Sequence, residues 1–338
     1  MVDLRVEMHE TRLADGFQVS AIGLGCSSMS HGYGTAERDD EESARVIHRA
    51  VELGINLFDT ADAYGPFTNE RLVGRTLRRY GESVHIATKC GLVTGPDGKF
   101  SRNGRPEYLR KACEASLQRL QVEVIDLYQL HRVDPVVPLA ETWGALADLV
   151  IEGKVRSLGI SHATCEELDQ VHALFPITAV QYELSVWAPS SREDILPWCQ
   201  KHNVGFLAFA PLGRGYLSGR VDPSALVPED SRLRDPRFKA DAVRTNQQIV
   251  DGIRRIGARF GYTPAQVAIA WTLAQGNGIV PIPGTRHRRW LEENVAALDL
   301  QLTPEALHEI DLLPSPAGEM SWDYSRHNGT RADISGAS

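Results

Sequence analysis

One pattern limits what this chain can fold into. A short apolar segment, a loop and an amphipathic helix recur at intervals of roughly 30–40 residues. Strict alternation of strands and helices indicates a parallel sheet, because parallel strands need a crossover connection. Eight such units can close on themselves, so the pattern predicts an α/β fold, a (β/α)8 TIM barrel. The predicted strands are Ile22–Gly25, Asn56–Asp59, His85–Lys89, Ile125–Leu130, Arg156–Ser161, Ala179–Tyr182, Gly205–Phe209 and Ile279–Ile282.

The segments between these strands carry the start and stop signals of helices. Glycine follows the first predicted helix, Asp40–Leu53, and proline opens the third, which runs from Pro106 to about Leu120. Thr303 is a favourable N-cap for a last helix, with Pro304 at its first position. The other predicted helices are Glu70–Tyr80, Leu139–Ile151, Glu167–Phe175, Arg192–His202, Gln247–Phe260 and Pro264–Gln275.

We expect one domain over residues 1–338, with an N-terminal β-hairpin at about 10–20, the barrel at about 21–312 and a C-terminal loop and tail at 313–338. The hairpin is predicted because Asp15–Gly16, a favoured tight-turn pair, lies between Glu10–Leu13 and Phe17–Ser20. The regular pattern stops at Pro211–Arg244, a long loop rich in Gly, Pro, Asp and Arg, after which extra helices and loops follow. Long loops in compact domains are usually functional.

Composition excludes several classes of function. The net charge of −8 gives the chain no electrostatic reason to bind nucleic acid or an anionic membrane. The charged N-terminal stretch lacks the apolar core of a secretory signal, and no apolar run is long enough for a membrane-spanning helix. Five cysteines without a C-x-x-C pair argue against a disulfide framework or a zinc site. A cytoplasmic protein without a metal is therefore expected.

Polar side chains occupy the predicted C-terminal ends of the strands, where barrels of this type carry their chemistry. Asp59, Lys89 and His131 end successive strands, and Tyr64 lies in the loop after Asp59. Carbonyl reduction needs a proton donor beside the hydride donor, and a tyrosine whose pKa is lowered by a nearby ammonium fits that role. Asp59 would keep the lysine charged, and His131 would orient the carbonyl oxygen. Each residue alone is explained as well by an ion pair, a cap or packing, so only their conjunction favours catalysis.

Further motifs accompany these four residues in a fixed order. They include the segments in which the candidate catalytic residues lie and a glycine- and arginine-rich stretch near the C-terminus. The segments are NLFDTADAYG (Asn56–Gly65), NERLVG (Asn69–Gly74), ATKCG (Ala87–Gly91), IDLYQLHRVDP (Ile125–Pro135), GKVRSLGIS (Gly153–Ser161), AVQYELS (Ala179–Ser185), AFAPLGRGYLSG (Ala208–Gly219) and IPGTRHRRWLEENVAAL (Ile282–Leu298).

In order and spacing, these segments resemble the signatures of the aldo-keto reductase family over roughly residues 10–312. The sequence HRVDP and the sequence PLGRG resemble the branch that includes pyridoxal reductase and the potassium-channel β subunits. The resemblance implies that Asp59, Tyr64, Lys89 and His131 form the catalytic tetrad. It also implies NADPH (NADP+) as cofactor and a small-molecule carbonyl compound as substrate, and it leaves the oligomeric state open.

The resemblance further implies which residues hold the cofactor. Ser161, His162 and Gln181 fall where the nicotinamide carboxamide is held, and Phe209 where a ring stacks on the nicotinamide. His162 stands where Asn is commoner and Phe209 where Tyr is commoner. The other expected cofactor-binding residues are Gly25 and Cys26 after the first strand, Pro211, Leu212, Gly213 and Arg214 over the pyrophosphate, Gly284, Thr285 and Arg286 at the 2′-phosphate, and Trp290, Glu293 and Asn294 at the adenine.

Two other functions stay open at this point. The first is an NADPH-holding redox-sensing or regulatory subunit, and the second, less favoured, is a Schiff-base lyase with Lys89 as nucleophile. For Cys26 and Cys90 a small buried thiol is the simpler interpretation. An aromatic-rich mouth of the barrel suggests a hydrophobic or ring-bearing carbonyl compound as substrate. The candidate lining residues are His31, Tyr33, Trp187, the Pro211–Arg244 loop, Trp322 and Tyr324.

Overall fold

The computed structural model describes residues 8–14, 16–34, 38–95 and 99–318. Its first element is an antiparallel hairpin of β1 (Glu10–Ala14) and β2 (Phe17–Ser20), which confirms the predicted hairpin. Gly16 has a φ of +78° in the turn, a conformation that glycine adopts without steric cost, while Asp15 lies outside the described residues. Leu13 and Val19 of the hairpin pack with the apolar side chains inside the barrel, so the hairpin covers its N-terminal end.

The strands after the hairpin are β3 (Leu24–Gly25), β4 (Leu57–Asp59), β5 (His85–Cys90), β6 (Leu92–Thr94), β7 (Phe100–Arg102), β8 (Ile125–Leu130), β9 (Val155–Ser161), β10 (Ala179–Glu183), β11 (Gly205–Phe209) and β12 (Ile279–Pro281). Eight of them form a single parallel sheet in the order β12-β11-β10-β9-β8-β5-β4-β3, which confirms the eight predicted strands to within a few residues at each end. The short strands β6 and β7 form a separate antiparallel pair after β5.

The sheet closes into a barrel where β3 meets the chain after β12. Gly25 forms a parallel bridge with Gly284, and the N–H of Gly23 donates to the carbonyl of Pro281 at 2.9 Å. A Cβ on Gly25 would lie 2.6 Å from the carbonyl oxygen of Ile282, so only glycine allows this approach. The fold is the predicted (β/α)8 barrel.

Helices surround the barrel and bury their apolar faces against the strands. Pro106–Leu120 and Leu139–Ile151 have the predicted bounds. The helices are α1 (Asp40–Glu52), α2 (Thr68–Leu77), α3 (Pro106–Leu120), α4 (Leu139–Ile151), α5 (Cys165–Leu174), α6 (Ile195–His202), α7 (Ala240–Phe260), α8 (Pro264–Leu273), α9 (Arg288–Val295) and α10 (Pro304–Asp311).

The remaining helix bounds differ for identifiable reasons. Thr164 makes a capping box with Glu167, so α5 starts two residues before the predicted Glu167. Asp194 caps Ile195, so α6 starts later than the predicted Arg192. The structure extends α7 back to Ala240, directly after the short turns of the long loop. Within the described ranges, no helix is long and apolar enough to cross a membrane.

Candidate active site

The four candidate catalytic side chains meet at the C-terminal end of the barrel. Lys89 on β5 is completely buried, and its ammonium donates to Asp59 Oδ1 at 2.6 Å and to the carbonyl of Thr60 at 2.7 Å. The same ammonium lies 3.4 Å from the hydroxyl oxygen of Tyr64. Its three protons therefore have three acceptors. The ring of His131, just after β8, stands edge-on to the Tyr64 ring with centroids 5.9 Å apart.

Two glutamines hold the second oxygen of Asp59. Gln181 donates to Oδ2 at 2.7 Å from β10, and Gln129 donates to the same atom at 3.2 Å from β8. Gln181 was expected at the nicotinamide carboxamide, but the structure directs its amide nitrogen to Asp59. Gln129 was not predicted, although an amide two residues before His131, near the end of a predicted strand, was a signal for it. These contacts orient the Asp59 side chain and join it to the lysine.

Burial and the neighbouring groups shift the pKa values of Lys89 and Tyr64 in opposite directions. Burial by itself lowers the pKa of Lys89, but the Asp59 carboxylate and Tyr64 outweigh it, and the pKa lies above its ordinary value. Burial raises the pKa of Tyr64 by more than the Lys89 ammonium lowers it. The expectation that Lys89 would lower the tyrosine pKa is therefore wrong in its net direction. Tyr64 keeps its proton at neutral pH.

His131 is 6 % exposed and stays neutral. Burial, followed by Arg132 and Lys89, holds its pKa well below the usual range. A neutral imidazole still carries one N–H, which can donate to a carbonyl oxygen. The backbone N–H of His131 donates to the carbonyl of Cys90 at 2.8 Å and fixes the position of the residue. Within the described part of the chain, its side-chain Nδ1 has no hydrogen-bond partner.

Two further rings lie beside Tyr64. His31 stacks on Tyr64 with centroids 5.8 Å apart, and Phe100 of β7 meets the edge of His31 at 5.9 Å. The β6–β7 pair was not predicted because each strand is only three residues long. Trp187 does not line the mouth as expected, since it is 2 % exposed and stacks on Tyr216. Trp322 and Tyr324 lie outside the described residues.

Ser161, His162 and Phe209 gather at the adjoining strand ends. Arg132 donates to Ser161 Oγ at 3.2 Å. His162 has a φ of +56°, a left-handed conformation that Asn and His tolerate better than most residues, which explains why His can replace Asn here. Its ring lies 5.3 Å from the half-buried ring of Phe209, and its Nε2 has no hydrogen-bond partner among the described residues. A hydrogen-bonding group and an aromatic face are thus adjacent.

Gly25, Cys26 and Gly284 lie where the barrel closes. The Cys26 thiol is fully buried and its backbone N–H donates to the carbonyl of Asp59 at 2.8 Å. A Cβ on Gly284 would lie 2.8 Å from the Gly25 carbonyl oxygen and 3.3 Å from Ser28 Oγ. The buried-thiol interpretation is confirmed for Cys26 and Cys90. The Cys26 side chain therefore belongs to the core, and the two glycines allow the close approach that closes the barrel.

The predicted pyrophosphate loop begins at Pro211 and Leu212 and turns sharply. Gly213, Arg214 and Gly215 all have positive φ, and the N–H groups of Gly213 and Gly215 donate to carbonyls within the loop. The Arg214 guanidinium is buried and donates to Asp235 at 3.1 Å. Its positive charge is therefore already balanced by a carboxylate of the protein.

Asp235 belongs to a buried charge network that sequence reasoning did not find. Arg237 is completely buried and donates to Asp235 Oδ2 at 2.8 Å and to Glu183 Oε1 at 2.7 Å. Glu183 is the last residue of β10. The network thus consists of two arginines and two carboxylates and joins the long loop to the barrel. Its members are Arg214, Arg237, Asp235 and Glu183. The high content of Arg and Asp in the loop was the only signal in the sequence.

The residues expected at the adenosine end lie on and before α9. Arg286 donates to the carbonyl of Gly34 at 3.0 Å. Glu293 accepts a bidentate pair from Arg220 at 2.9 and 3.0 Å, and the Arg220 guanidinium lies 4.0 Å from the centre of the Trp290 ring. Arg220 was not predicted. Thr285 and Asn294 are buried, and Thr285 Oγ1 accepts from the N–H of His287 at 3.1 Å.

The sequence pattern that describes the Aldo/keto reductase family matches residues 21–313. The chain belongs to the aldo-keto reductase family. It is 42 % identical over 298 residues to a probable aldo-keto reductase of Glycine max, covering 87 % of this chain and 85 % of that protein. The family identifies the chain as an oxidoreductase of carbonyl compounds, while its branch within the family stays a prediction.

Solved structures agree with this membership. A glycerol dehydrogenase from Gluconobacter oxydans has a TM-score of 0.83 at 31 % identity, covering 92 % of this reductase and 99 % of that chain. An aldo-keto reductase from Bacillus halodurans, in its holo form, has a TM-score of 0.75 at 27 % identity, covering 93 % and 98 %.

Enzymes of this family generally use NAD(P)H, and the site has features that fit such a group. His162 Nε2, which has no hydrogen-bond partner among the described residues, and the half-buried ring of Phe209 offer a hydrogen bond and a stacking surface. Arg286 lies two residues before the N-terminus of α9, and helix N-termini favour anions. Among the described residues, no group of three or more His, Cys, Asp or Glu is arranged to hold a metal ion.

Proposed function

We propose that this aldo-keto reductase uses NADPH to reduce an aldehyde or a ketone to the alcohol, with Tyr64 as general acid. One observation carries the proposal: the buried Lys89 ammonium joins the Asp59 carboxylate at 2.6 Å to the Tyr64 hydroxyl at 3.4 Å. The proton donor Tyr64 thus contacts the positive charge of Lys89, and Asp59 holds that charge in place.

The residues of the chain supply the proton and the electrostatic stabilisation. When bound, NADPH supplies the hydride that reduces the carbonyl carbon. As the oxygen gains negative charge, Tyr64 transfers its hydroxyl proton to it. Lys89 stabilises the phenolate that remains, because its ammonium already faces the tyrosine oxygen. His131 donates its one N–H to the same carbonyl oxygen and holds it against the tyrosine.

In this proposal, residues from the strand ends of β9–β11 to the start of α9 would hold the cofactor. Ser161, His162 and Phe209 would hold the nicotinamide, with Gln181 acting mainly through Asp59. The backbone of Gly25 and Cys26 and the loop Pro211–Arg214 would flank it. Gly284, Thr285 and Arg286 would receive the 2′-phosphate, and Trp290, Glu293 and Asn294 would border the adenine, with Arg220 between Trp290 and Glu293.

The Schiff-base alternative is disfavoured by the same geometry. A lysine nucleophile must lose a proton, but Lys89 donates to three acceptors and its pKa lies above the ordinary value despite burial. A purely regulatory, NADPH-holding subunit would have no need for the complete tetrad. We retain catalysis as the function that the site supports best.

We propose further that the enzyme is a single barrel domain, that it is cytoplasmic, and that it binds neither nucleic acid nor membrane. All five cysteines are free thiols, which fits a reducing compartment.

The test is cofactor consumption by the purified chain with a panel of aldehydes and ketones. We expect oxidation of NADPH that depends on the carbonyl compound, and a lower kcat/KM when NADH replaces NADPH. Tight binding of NADPH without turnover of any member of the panel would instead support the regulatory function. Borohydride trapping of a carbonyl compound on Lys89 would support the lyase.

A further inference from the structure

The proposed function leaves Asn69 without a role, although this residue opens the segment NERLVG, which resembles a signature of the family. Asn69 is the second residue of α2, and its side chain is completely buried. Burial of an amide is costly unless its polar atoms are hydrogen-bonded. The side chain therefore needs partners inside the protein, and these partners lie around the active site.

The Asn69 amide makes three hydrogen bonds to three different segments. Its Nδ2 donates to the carbonyl of Cys26 and to Ser30 Oγ, each at 2.9 Å, and its Oδ1 accepts from Thr60 Oγ1 at 2.7 Å. A carbonyl oxygen can only accept, so the contact with Cys26 fixes which way the amide faces. The backbone N–H of Asn69 adds a fourth contact, to the carbonyl of Tyr64 at 3.3 Å.

The contact with Thr60 leads directly to Lys89. The carbonyl of Thr60 accepts from the Lys89 ammonium at 2.7 Å and is one of the three acceptors that orient it. Thr60 is completely buried, and its backbone N–H donates to the carbonyl of Ala87 on β5 at 2.8 Å. Asn69 holds the side chain of the same residue. The two contacts together fix Thr60, and with it one of the bonds that keep the ammonium at Tyr64.

The other two partners anchor the amide. The backbone N–H of Cys26, whose carbonyl accepts from Asn69, donates to the carbonyl of Asp59 at 2.8 Å. Ser30 precedes His31, whose ring stacks on the ring of Tyr64. The amide is thus tied to the chain on both sides of the tyrosine, so its contact with Thr60 is held from two directions.

Resting on the proposed function, we infer that Asn69 is a positioning residue for carbonyl reduction, which acts through Thr60 to keep the Lys89 ammonium at the Tyr64 hydroxyl. Asn69 takes no part in the bond changes. Its side chain makes the Thr60 carbonyl a fixed acceptor, so that the ammonium faces the tyrosine oxygen before the reaction begins.

Loss of this support should be visible in the titration of Tyr64. Among the described residues, the titratable groups that contact Tyr64 or shift its pKa are Asp59 on β4, Lys89 on β5, His131 and Arg132 after β8, and His31 after β3. Burial raises the pKa of Tyr64, and the Lys89 ammonium opposes that rise. Of these groups, Lys89 is the one that Thr60 holds. An ammonium that is less well held opposes the rise less, so the pKa of Tyr64 should increase further.

The first test separates the contacts of the amide. Thr60→Val removes the hydroxyl that Asn69 accepts and keeps the shape of the side chain, whereas Ser30→Ala removes one of the two anchors. We expect Thr60→Val to lower kcat for reduction roughly 3- to 10-fold and to move the rising limb of the pH profile for alcohol oxidation to higher pH. Ser30→Ala should move that limb less, because the Cys26 carbonyl still anchors the amide. Equal shifts in the two variants would contradict a path through Thr60.

The second test compares two buried asparagines. Asn246 on α7 is 1 % exposed, and its amide also makes three hydrogen bonds, one to the carbonyl of Arg237 and two to the backbone of Ala317. Asn69→Ala and Asn246→Ala should therefore lose similar stability in urea unfolding. We expect Asn69→Ala to lower kcat roughly 10- to 100-fold and to shift the pH profile upward, while Asn246→Ala leaves the profile as in the wild type.

The outcomes distinguish this inference from the proposed function. A wild-type pH profile in both Thr60→Val and Asn69→Ala would overturn the inference alone, and so would an equal shift in Asn246→Ala. If Asn69→Ala does not fold, the profile of Thr60→Val decides. If the wild type oxidises NADPH with no carbonyl compound, the proposed function fails, and the inference with it.

Discussion

Lys89 Nζ and Asp59 Oδ1 lie 2.6 Å apart in the interior of the barrel, where neither side chain is more than 5 % exposed. Burial of a charge is costly unless it is paired, so each residue depends on the other. The pair also places the ammonium at the Tyr64 hydroxyl. The Lys89–Asp59 contact therefore contributes both to the stability of the fold and to catalysis, and substitutions can separate these two contributions.

Lys89→Met should cost both stability and activity. It leaves the Asp59 carboxylate buried without its cation, which typically costs about 3–5 kcal/mol. The double variant Asp59→Asn/Lys89→Met removes both charges and should recover part of the stability while kcat stays at least roughly a hundredfold down. Urea unfolding and steady-state turnover measure the two quantities. Equal stability of the single and double variants would contradict the pairing.

The reaction should depend on pH in opposite ways in its two directions. Tyr64 must be protonated to reduce a carbonyl and deprotonated to oxidise an alcohol, and its pKa lies above the ordinary tyrosine value because burial outweighs Lys89. We expect kcat/KM for reduction to stay level through neutral pH and to fall only in the alkaline range. For alcohol oxidation it should rise over that range. A reduction rate that declines between pH 6 and pH 8, roughly the range of an unperturbed histidine, would contradict this assignment.

Asp62 should make the fold less stable as pH rises. Burial, with the nearby Glu70, raises the pKa of Asp62 to about 8, against an ordinary value of 3.8. Between those two values the folded chain holds a proton that the unfolded chain has lost, so the stability that this group contributes falls as pH increases. Asp62→Asn should remove the effect, on the order of a few kcal/mol at pH 8.

The measurement is urea unfolding of wild type and Asp62→Asn at pH 5 and at pH 8. The difference between the two proteins should be larger at pH 8. A difference that is the same at both values would show that Asp62 titrates normally. Asp40→Asn, at an exposed position of α1, serves as the control.

The Arg220–Glu293 pair should slow the release of the cofactor. Its bidentate contact at 2.9 and 3.0 Å joins the loop after β11 to α9, on either side of the proposed adenosine site. Arg220→Ala should weaken NADPH binding roughly 2- to 5-fold, because a half-exposed ion pair contributes about 1 kcal/mol at most. Stopped-flow fluorescence should assign the change to faster dissociation. An unchanged dissociation rate would exclude this role.

Much of the barrel was predictable because its signals are local. The alternation of apolar strands and capped helices predicted all eight strands, and Pro106 marked the start of α3. The positions of Asp59, Lys89 and His131 at the ends of strands followed from that alternation. The β6–β7 pair was not predicted, because strands of three residues are too short to show a periodic pattern of apolar residues.

The features that were missed depend on contacts between residues far apart in the chain and on how deeply a side chain is buried. Neither can be read from the sequence. Arg220 and Glu293 are 73 residues apart, and Arg237 and Glu183 are 54 apart, so nothing local couples them. The expected direction of the Tyr64 pKa was wrong because the depth of burial, not the presence of a lysine, decides it. Trp187 was placed at the mouth from its position in the chain, whereas packing on Tyr216 buries it.

The most direct test of the account is turnover by Tyr64→Phe, measured together with NADPH binding. The substitution removes the one hydroxyl that faces the Lys89 ammonium and keeps the ring that stacks on His31. We predict that NADPH binding, followed by cofactor fluorescence, stays within a few-fold of wild type while carbonyl reduction falls by roughly a hundredfold or more. Reduction at the wild-type rate with normal NADPH binding would contradict the assignment of Tyr64 as the general acid.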